Sequence, residues 1–388
     1  MKIVQLFKIY WPDNGGGIAK VIESIADGFS DCEQEIIVCQ DRRRRKSIDD
    51  VYKGIKVRRS SQLFTFASTP ISIQYLKDVK KRTKDADITI YHFPYPMIDL
   101  AVLLGLYSGR LVVWWHCGIE KYKNLAPFYR LIVAHTLKKA DRILVSSQGN
   151  IDHSPMLGPF KTKCSVVPFS VSDEYIKRGR KYISSVQEKQ IEKHAQVNIL
   201  FIGRLVWYKG CDILLRAYAG MQSKNCTLTL VGGGPLEQEL KELAASLHID
   251  TVWFAGRVSE KEKIRYIEAC DFLVLPSVSK AEAFGLVQIE AMAFGKPVIN
   301  TRLPSGVPTV SVDGVTGLTV RPGSAGQLAR AMDRLARDGE LRRAYGRNAY
   351  ERVSGEYTKE VMIGRHRKEF EKLLSEQRHL CAGPLIGK

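Results

Sequence analysis

Asn198-Ile199-Leu200-Phe201-Ile202-Gly203-Arg204-Leu205, with Lys209-Gly210 following, reads as a strand that ends at a glycine and passes two cations before a helix begins. The helix is expected over residues 211–221. The same unit recurs downstream. Strands are expected at 227–231, 252–255, 272–275, 297–301 and 317–320, and helices at 235–247, 260–269 and 285–294. Strands alternating with helices imply a parallel sheet covered on both faces.

Working back toward the start, residues 2–7 alternate and are β-rich. Pro12-Asp13-Asn14-Gly15-Gly16-Gly17 follows, and then Ile18, Val21, Ile22, Ile25, Ala26 and Phe29 recur at helical spacing. Further strands are expected at 36–39, 55–58, 88–91, 111–115, 142–146 and 164–167. This is a second α/β series. Residues 175–196 are polar and weakly periodic, and read as part helix, part linker. The expected organisation is a domain over 1–190, a domain over 191–357, and a segment 358–388 made of a final helix near 358–377 and a tail.

The chain has 388 residues, 45% of them hydrophobic, which suits two domains with sizeable cores. Its eight cysteines are scattered without a CxxC pair, which argues against a structural zinc site and suits a reducing cytoplasm. The opening residues read as a strand, not as a secretory leader. The most apolar stretch, 97–115, is interrupted by Asp99, Gly109 and Arg110, too soon for a spanning helix. Net charge is +18, and residues 1–190 carry +12 of it. Such a surface attracts phosphates, anionic lipid or nucleic acid. The densest run, 42–46, serves equally well as a solvated loop, and its lack of interleaved aromatics disfavours nucleic acid. A second basic cluster lies at 77–84 with Lys80, Lys81 and Arg82, and no hydrophobic anchor is expected beside either.

Two glycine-rich turns open helices. Gly15-Gly16-Gly17 and Leu230-Val231-Gly232-Gly233-Gly234-Pro235 let a phosphate approach the backbone, or are simply tight turns. Arg204 and Lys209 leave the C-terminal end of a strand, where open α/β sheets bind ligands. Two cations there can clamp a diphosphate. The strongest signal is Pro276-Ser277 followed by Glu282-Ala283-Phe284-Gly285-Leu286-Val287-Gln288-Ile289-Glu290-Ala291-Met292. Glu282 precedes a helix and Glu290 lies within it. Apolar neighbours around Glu290 predict a part-buried acid that must be paired or ligand-bound.

In this order the motifs resemble the retaining glycosyltransferase family 4, of GT-B fold. The resemblance spans nearly the whole chain and is most specific over 198–320, where Gly295-Lys296-Pro297-Val298 and Asp313-Gly314-Val315-Thr316-Gly317-Leu318 also match. Ala283 departs from the family's usual glycine. The resemblance implies two doubly wound Rossmann-like domains facing a central cleft. It also implies roles. Gly16, Gly17 and Gly233 approach the donor, and Arg204 and Lys209 bind its diphosphate. Glu282 contacts the sugar, with Phe284, Gly285 and Leu286 presenting backbone N–H groups. Glu290 takes the ribose. His116, after the strand at 111–115, lines the sugar site, or is a satisfied core residue. Catalytic roles fall on Glu282, His116, Arg204 and Lys209, with no metal and no cofactor.

The implied reaction moves a hexose, with retention, from a GDP- or UDP-sugar to a lipid-linked or polysaccharide acceptor. Leu303-Pro304-Ser305-Gly306-Val307-Pro308 resembles bacterial mannosyltransferases of polysaccharide assembly. The expected location is cytoplasmic, peripheral at the inner face of the cell membrane, on anionic lipid. Nucleic acid is not an expected partner. The competing readings are a sugar-nucleotide epimerase of the same fold and a catalytically inactive nucleotide-sugar-binding subunit.

Overall fold

The computed structural model describes residues 1–13, 16–41, 46–66, 69–118, 126–188 and 196–381. The basic run 42–45 and Gly15 lie outside the described residues. The chain forms two compact units, Met1–Phe169 with Glu360–Lys388, and Ser170–Lys359.

The first unit is built on an eight-stranded sheet. Its strands are β1 (Lys2–Leu6), β2 (Glu33–Cys39), β3 (Ile48–Tyr52), β4 (Ile55–Ser60), β7 (Ile88–Phe93), β8 (Arg110–Trp115), β9 (Arg142–Val145) and β10 (Cys164–Val166); β5 (Phe64–Phe66) and β6 (Thr69–Ile71) form a separate two-stranded hairpin. The sheet order is β10-β9-β8-β7-β1-β2-β4-β3. Chain order runs outward in both directions from β1 and β7, so the topological switch point lies between these two. Every residue of β7 is buried, which is why Ile88-Thr89-Ile90-Tyr91-His92-Phe93 carries no clean alternation.

Sequence reasoning missed β3, β5 and β6. Strand β3 pairs antiparallel with β4 at the sheet edge and is mostly exposed. Cross-strand ion pairs hold it in place of apolar burial: Asp49 to Arg58 and Asp50 to Arg59, each at 2.9 Å. The two-residue turn Lys53-Gly54, both at positive φ, was the available signal.

Helix Gly17–Gly28 buries Ile22, Ile25 and Ala26 on this sheet. The last helix, Lys359–Cys381, packs in the same unit. Phe370 meets Phe29 with ring centroids 5.3 Å apart, and Arg367 binds Asp31 at 2.6 Å. A Cβ on Gly28 would sit 2.3 Å from the Ile363 side chain, so glycine sets the approach of the two helices.

The second unit has a six-stranded, wholly parallel sheet: β11 (Val197–Ile202), β12 (Cys226–Val231), β13 (Val252–Gly256), β14 (Phe272–Val274), β15 (Val298–Thr301) and β16 (Gly317–Val320), in the order β13-β12-β11-β14-β15-β16. Its switch point lies between β11 and β14.

The units divide at Phe169–Ser170, ahead of the boundary expected at residue 190. Of the stretch 175–196, expected to be partly linker, residues 175–188 lie in helix Asp173–Glu188 of the second unit, and 189–195 lie outside the described residues. A Cβ on Gly179 would lie 1.9 Å from the Ala293 carbonyl oxygen, Arg178 pairs with Glu268 at 3.0 Å, and Lys296 donates to the Tyr182 hydroxyl at 2.8 Å. These contacts are aromatic, polar or made by backbone, so a search for apolar periodicity passes over them.

Candidate functional site

At the switch point of the second unit, β11 ends in Ile202-Gly203 and runs into a short 3-10 turn, Trp207–Lys209. Gly210 closes that turn at φ +65°, and a Cβ there would stand 2.3 Å from the Pro276 carbonyl oxygen. Only glycine lets the loop leaving β11 lie so close to the loop leaving β14. The Val278 amide fastens the two loops by donating to the Tyr208 carbonyl at 2.8 Å.

The consequence is a buried ion pair. The Lys209 ammonium meets Glu282 Oε2, and the Ser277 hydroxyl donates to the same oxygen at 3.1 Å. Burial alone would pull the Lys209 pKa down. The Glu282 carboxylate outweighs it and raises the net value above the usual lysine range. Arg204, one residue past Gly203, is exposed and has no ion-pair partner among the described residues.

The turn after β12 wraps against the same loop. Gly232 sits at φ +130° with its Cβ position 2.0 Å from the Gly203 carbonyl oxygen, and Gly234 is placed 2.2 Å from that of Leu205. These two glycines are demanded by backbone packing. Gly233 differs: a Cβ there would meet the movable Arg257 side chain at 3.2 Å.

Gly285, at φ +74°, caps the helix Leu286–Met292, and its Cβ position falls 2.5 Å from Leu275. Phe284 is buried and packs edge-on against Tyr357. Gln288 ties the helix to its surroundings, donating to the Phe284 carbonyl at 2.7 Å and accepting from Asn300 at 2.9 Å. Glu290, on the second turn of that helix, is 9% exposed and paired with Lys263 at 2.8 Å. The part-buried, paired acid expected here is what the helix carries. Lys263 also bonds Glu260 at 2.9 Å and lies over the Tyr175 ring.

In the first unit, Gly16 and Gly17 follow β1. Both are exposed, and Gly16 caps helix Gly17–Gly28 without a side-chain hydrogen bond. His116 follows β8 and is 5% exposed. Its Nε2 is 3.0 Å from His92 Nδ1, and its ring stacks on Trp114 and Phe169 with centroids at 4.6 and 5.7 Å. Burial pushes its pKa down to about 3. Its Nδ1 is buried and has no hydrogen-bond partner among the described residues.

The sequence reading thus placed Lys209 and Glu282 in one site, and the fold joins them directly. It missed Ser277 as a partner of Glu282, Lys263 as the partner of Glu290, and Gln5 and His92 behind His116. A histidine inside the otherwise buried run 88–93 was the signal for the last. Among the described residues, no group of three or more His, Cys, Asp or Glu side chains is placed to hold a metal ion, and no helix is long and apolar enough to cross a membrane.

Two doubly wound units with glycine turns at their switch points define the GT-B fold of glycosyltransferases. Sucrose-phosphate synthase from Thermosynechococcus elongatus matches it with a TM-score of 0.76 at 20% identity, over 97% of this chain and 99% of that one. HepE of Anabaena, solved in complex with UDP and glucose, matches with a TM-score of 0.72 at 20% identity, over 96% and 99%. Residues 184–352 match the model of the family described as glycosyl transferases group 1. In sequence the chain is similar to the O-antigen chain mannosyltransferase C of Escherichia coli, 29% identical over 97% of this chain and 100% of that protein. It is equally similar to the D-rhamnosyltransferase WbpZ of Pseudomonas aeruginosa, 29% identical over 92% of each. The chain thus has the fold of glycosyltransferases and is similar in sequence, over nearly its whole length, to two of them, the class that the motifs led us to expect.

Proposed function

We propose that this protein transfers a hexose, with retention of configuration, from a nucleoside diphosphate sugar to a lipid-linked or polysaccharide acceptor, as a step in building a bacterial surface polysaccharide. The observation that carries the reading is the cation pair at the β11/β14 switch point. Lys209 is part-buried and kept charged by Glu282, and Arg204 stands exposed on the same loop leaving β11. A diphosphate supplies the negative charge that such a pair takes, at the sheet edge where open α/β folds bind ligands.

In this reading the bond between the anomeric carbon and the diphosphate oxygen breaks while the acceptor hydroxyl oxygen bonds that carbon on the same face. The acceptor proton passes to the departing phosphate. Arg204 and Lys209 stabilise the charge that develops on the leaving group, so the transfer proceeds without a metal. Glu282 contacts the sugar, Glu290 the ribose, and the N–H groups at Phe284, Gly285 and Leu286 the diphosphate side of the donor. Gly16, Gly17, Gly233 and His116 carry the approach and sugar-lining roles that the family resemblance implies.

The two full-length relatives are a mannosyl- and a rhamnosyltransferase, which favours a mannose-like sugar and GDP as the carrier. The HepE complex keeps UDP in consideration. The protein acts at the cytoplasmic face of the membrane, held peripherally on anionic lipid by the basic first unit. The testing experiment incubates the protein with GDP-mannose, GDP-rhamnose, UDP-glucose and UDP-galactose, with and without chelator, and follows nucleotide release. Release from one donor in chelator supports the reading. No release from any of them, or release that returns only with added magnesium or manganese, counts against it.

A further inference from the structure

We propose that Gln5 and His92 are positioning residues that lock the His116 imidazole as its Nε2–H tautomer, so that Nδ1 is offered as a bare acceptor to a hydroxyl group of a bound sugar. The sugar as ligand rests on the function proposed above; the lock itself does not.

The direction of each hydrogen bond follows from one end of the chain. Gln5 lies on β1 and His92 on β7, neighbours at the switch point of the first unit. The Gln5 side-chain nitrogen donates to the Ile22 carbonyl at 3.3 Å, and a carbonyl can only accept. Gln5 Oε1 therefore faces His92 Nε2, at 2.9 Å, and this nitrogen must carry the proton. A neutral imidazole has one N–H, so His92 Nδ1 is an acceptor. It lies 3.0 Å from His116 Nε2, which must then donate. His116 Nδ1 is left with an unshared pair and no proton.

Both rings are neutral near pH 7. Both are buried, and burial holds His92 well below the usual imidazole range and His116 at about 3. Among the described residues, no neighbouring donor spends the Nδ1 lone pair. The Trp114 indole N–H is committed to His366 Nε2 at 3.0 Å, and His366 Nδ1 to the Met362 carbonyl at 2.8 Å. Stacking on Trp114 and Phe169 keeps the ring from turning away. A buried acceptor without a partner destabilises the fold, and such groups are rare in native proteins. A ligand hydroxyl that donates to Nδ1 removes that cost. A carboxylate or phosphate oxygen has no proton to give and is refused, so the lock also sets specificity.

The test uses the full chain labelled with 15N-histidine, without ligand, and long-range 1H–15N correlation near neutral pH; the His116 signals are those lost in His116→Gln. The expected result is a single Nε2–H tautomer for His116. In His92→Phe, with folding checked by circular dichroism, the two tautomers should mix. His92→Asn, whose Oδ1 can accept from His116 Nε2, should restore the single form. Gln5→Met provides the same loosening should His92→Phe fail to fold. A protonated Nδ1 or an averaged ring in the unmutated protein overturns the proposal, as does an unchanged tautomer in folded His92→Phe or Gln5→Met. None of these readouts depends on glycosyl transfer, so a protein that turned over no donor would leave the lock testable.

Discussion

The Lys209 ammonium meets the Glu282 carboxylate where the loops leaving β11 and β14 close on each other, with 12% and 11% of the two side chains exposed. Removing one partner strands a buried charge. Lys209→Met should therefore cost about 3–5 kcal/mol of stability, and Lys209→Met with Glu282→Gln should recover most of it. Because the folded Lys209 pKa is raised, the pair's contribution is complete at neutral pH. It fades only as pH climbs through the folded value, above the ordinary lysine range. Urea unfolding of the single and double variants checks both statements; additive losses would mean the two groups are not coupled.

The glycine turn after β12 separates packing from function. Gly232→Ala places a Cβ about on top of a carbonyl oxygen at positive φ, and Gly234→Ala does nearly the same. Each should destabilise the second unit by about 3 kcal/mol or more. Gly233→Ala meets only the Arg257 side chain and should cost about 1 kcal/mol or less. Thermal melts of the three variants give the ranking, and equal losses at all three would contradict it.

The first unit should be sensitive to acid. His116 titrates at about 3 and His366 at about 4 in the fold, against 6.5 when unfolded. As pH falls below about 6.5 the unfolded chain takes protons that the fold refuses. Stability present at neutral pH is then lost, at up to about 1.4 kcal/mol per pH unit for each histidine. Asp99 works the other way. Burial raises it to about 6, so it binds its proton in the fold first and offsets part of the loss. His366→Gln should flatten the slope between pH 6 and 4.5 by roughly one histidine's share. An unchanged slope would show that another group controls it.

How far the sequence could be read follows the kind of force involved. Apolar strands such as β11 and β12, and the glycine turns after them, stand out because apolar runs and glycines are local signals. Glu290 was legible as a part-buried acid that must be paired or ligand-bound, and Glu282 as a loop acid ahead of the helix, without its ion pair. Their partners were not symmetric in this respect: Lys209 lies beside a glycine turn and announced itself, whereas Lys263 is one charged residue among several on helix Glu260–Ala269. Strand β3 was invisible because ion pairs with Arg58 and Arg59 hold it. The Gln5–His92–His116 chain joins β1, β7 and the residue after β8, and no single-sequence pattern links residues that far apart.

Apolar surface does accompany the second basic cluster, contrary to expectation. Phe64 and Phe66 are 54% and 60% exposed on the β5–β6 hairpin, and Ile73, also exposed, opens helix Ile73–Arg82, which carries Lys77, Lys80 and Lys81. They sit on a short, separate two-stranded hairpin that sequence reasoning missed. If the basic unit meets anionic lipid, as proposed, each lysine contributes about 1 kcal/mol, screened by salt. Phe64→Ser with Phe66→Ser should then weaken co-sedimentation with vesicles of phosphatidylglycerol and leave a salt-sensitive remainder. Equal binding to neutral and anionic vesicles, or none at low salt, would contradict the membrane role.

The most direct test of the central claim, that Arg204 and Lys209 hold a nucleoside diphosphate, is calorimetric titration of the full chain with GDP, UDP and ADP, before and after Arg204→Ala. Arg204 is exposed and has no ion-pair partner among the described residues, so its removal should leave the melting temperature in place. The account predicts that one nucleotide binds the unmutated protein and that Arg204→Ala weakens it by about tenfold or more, the worth of one charge-assisted contact. No binding of any of the three, or the same affinity with and without the Arg204 guanidinium, would contradict it.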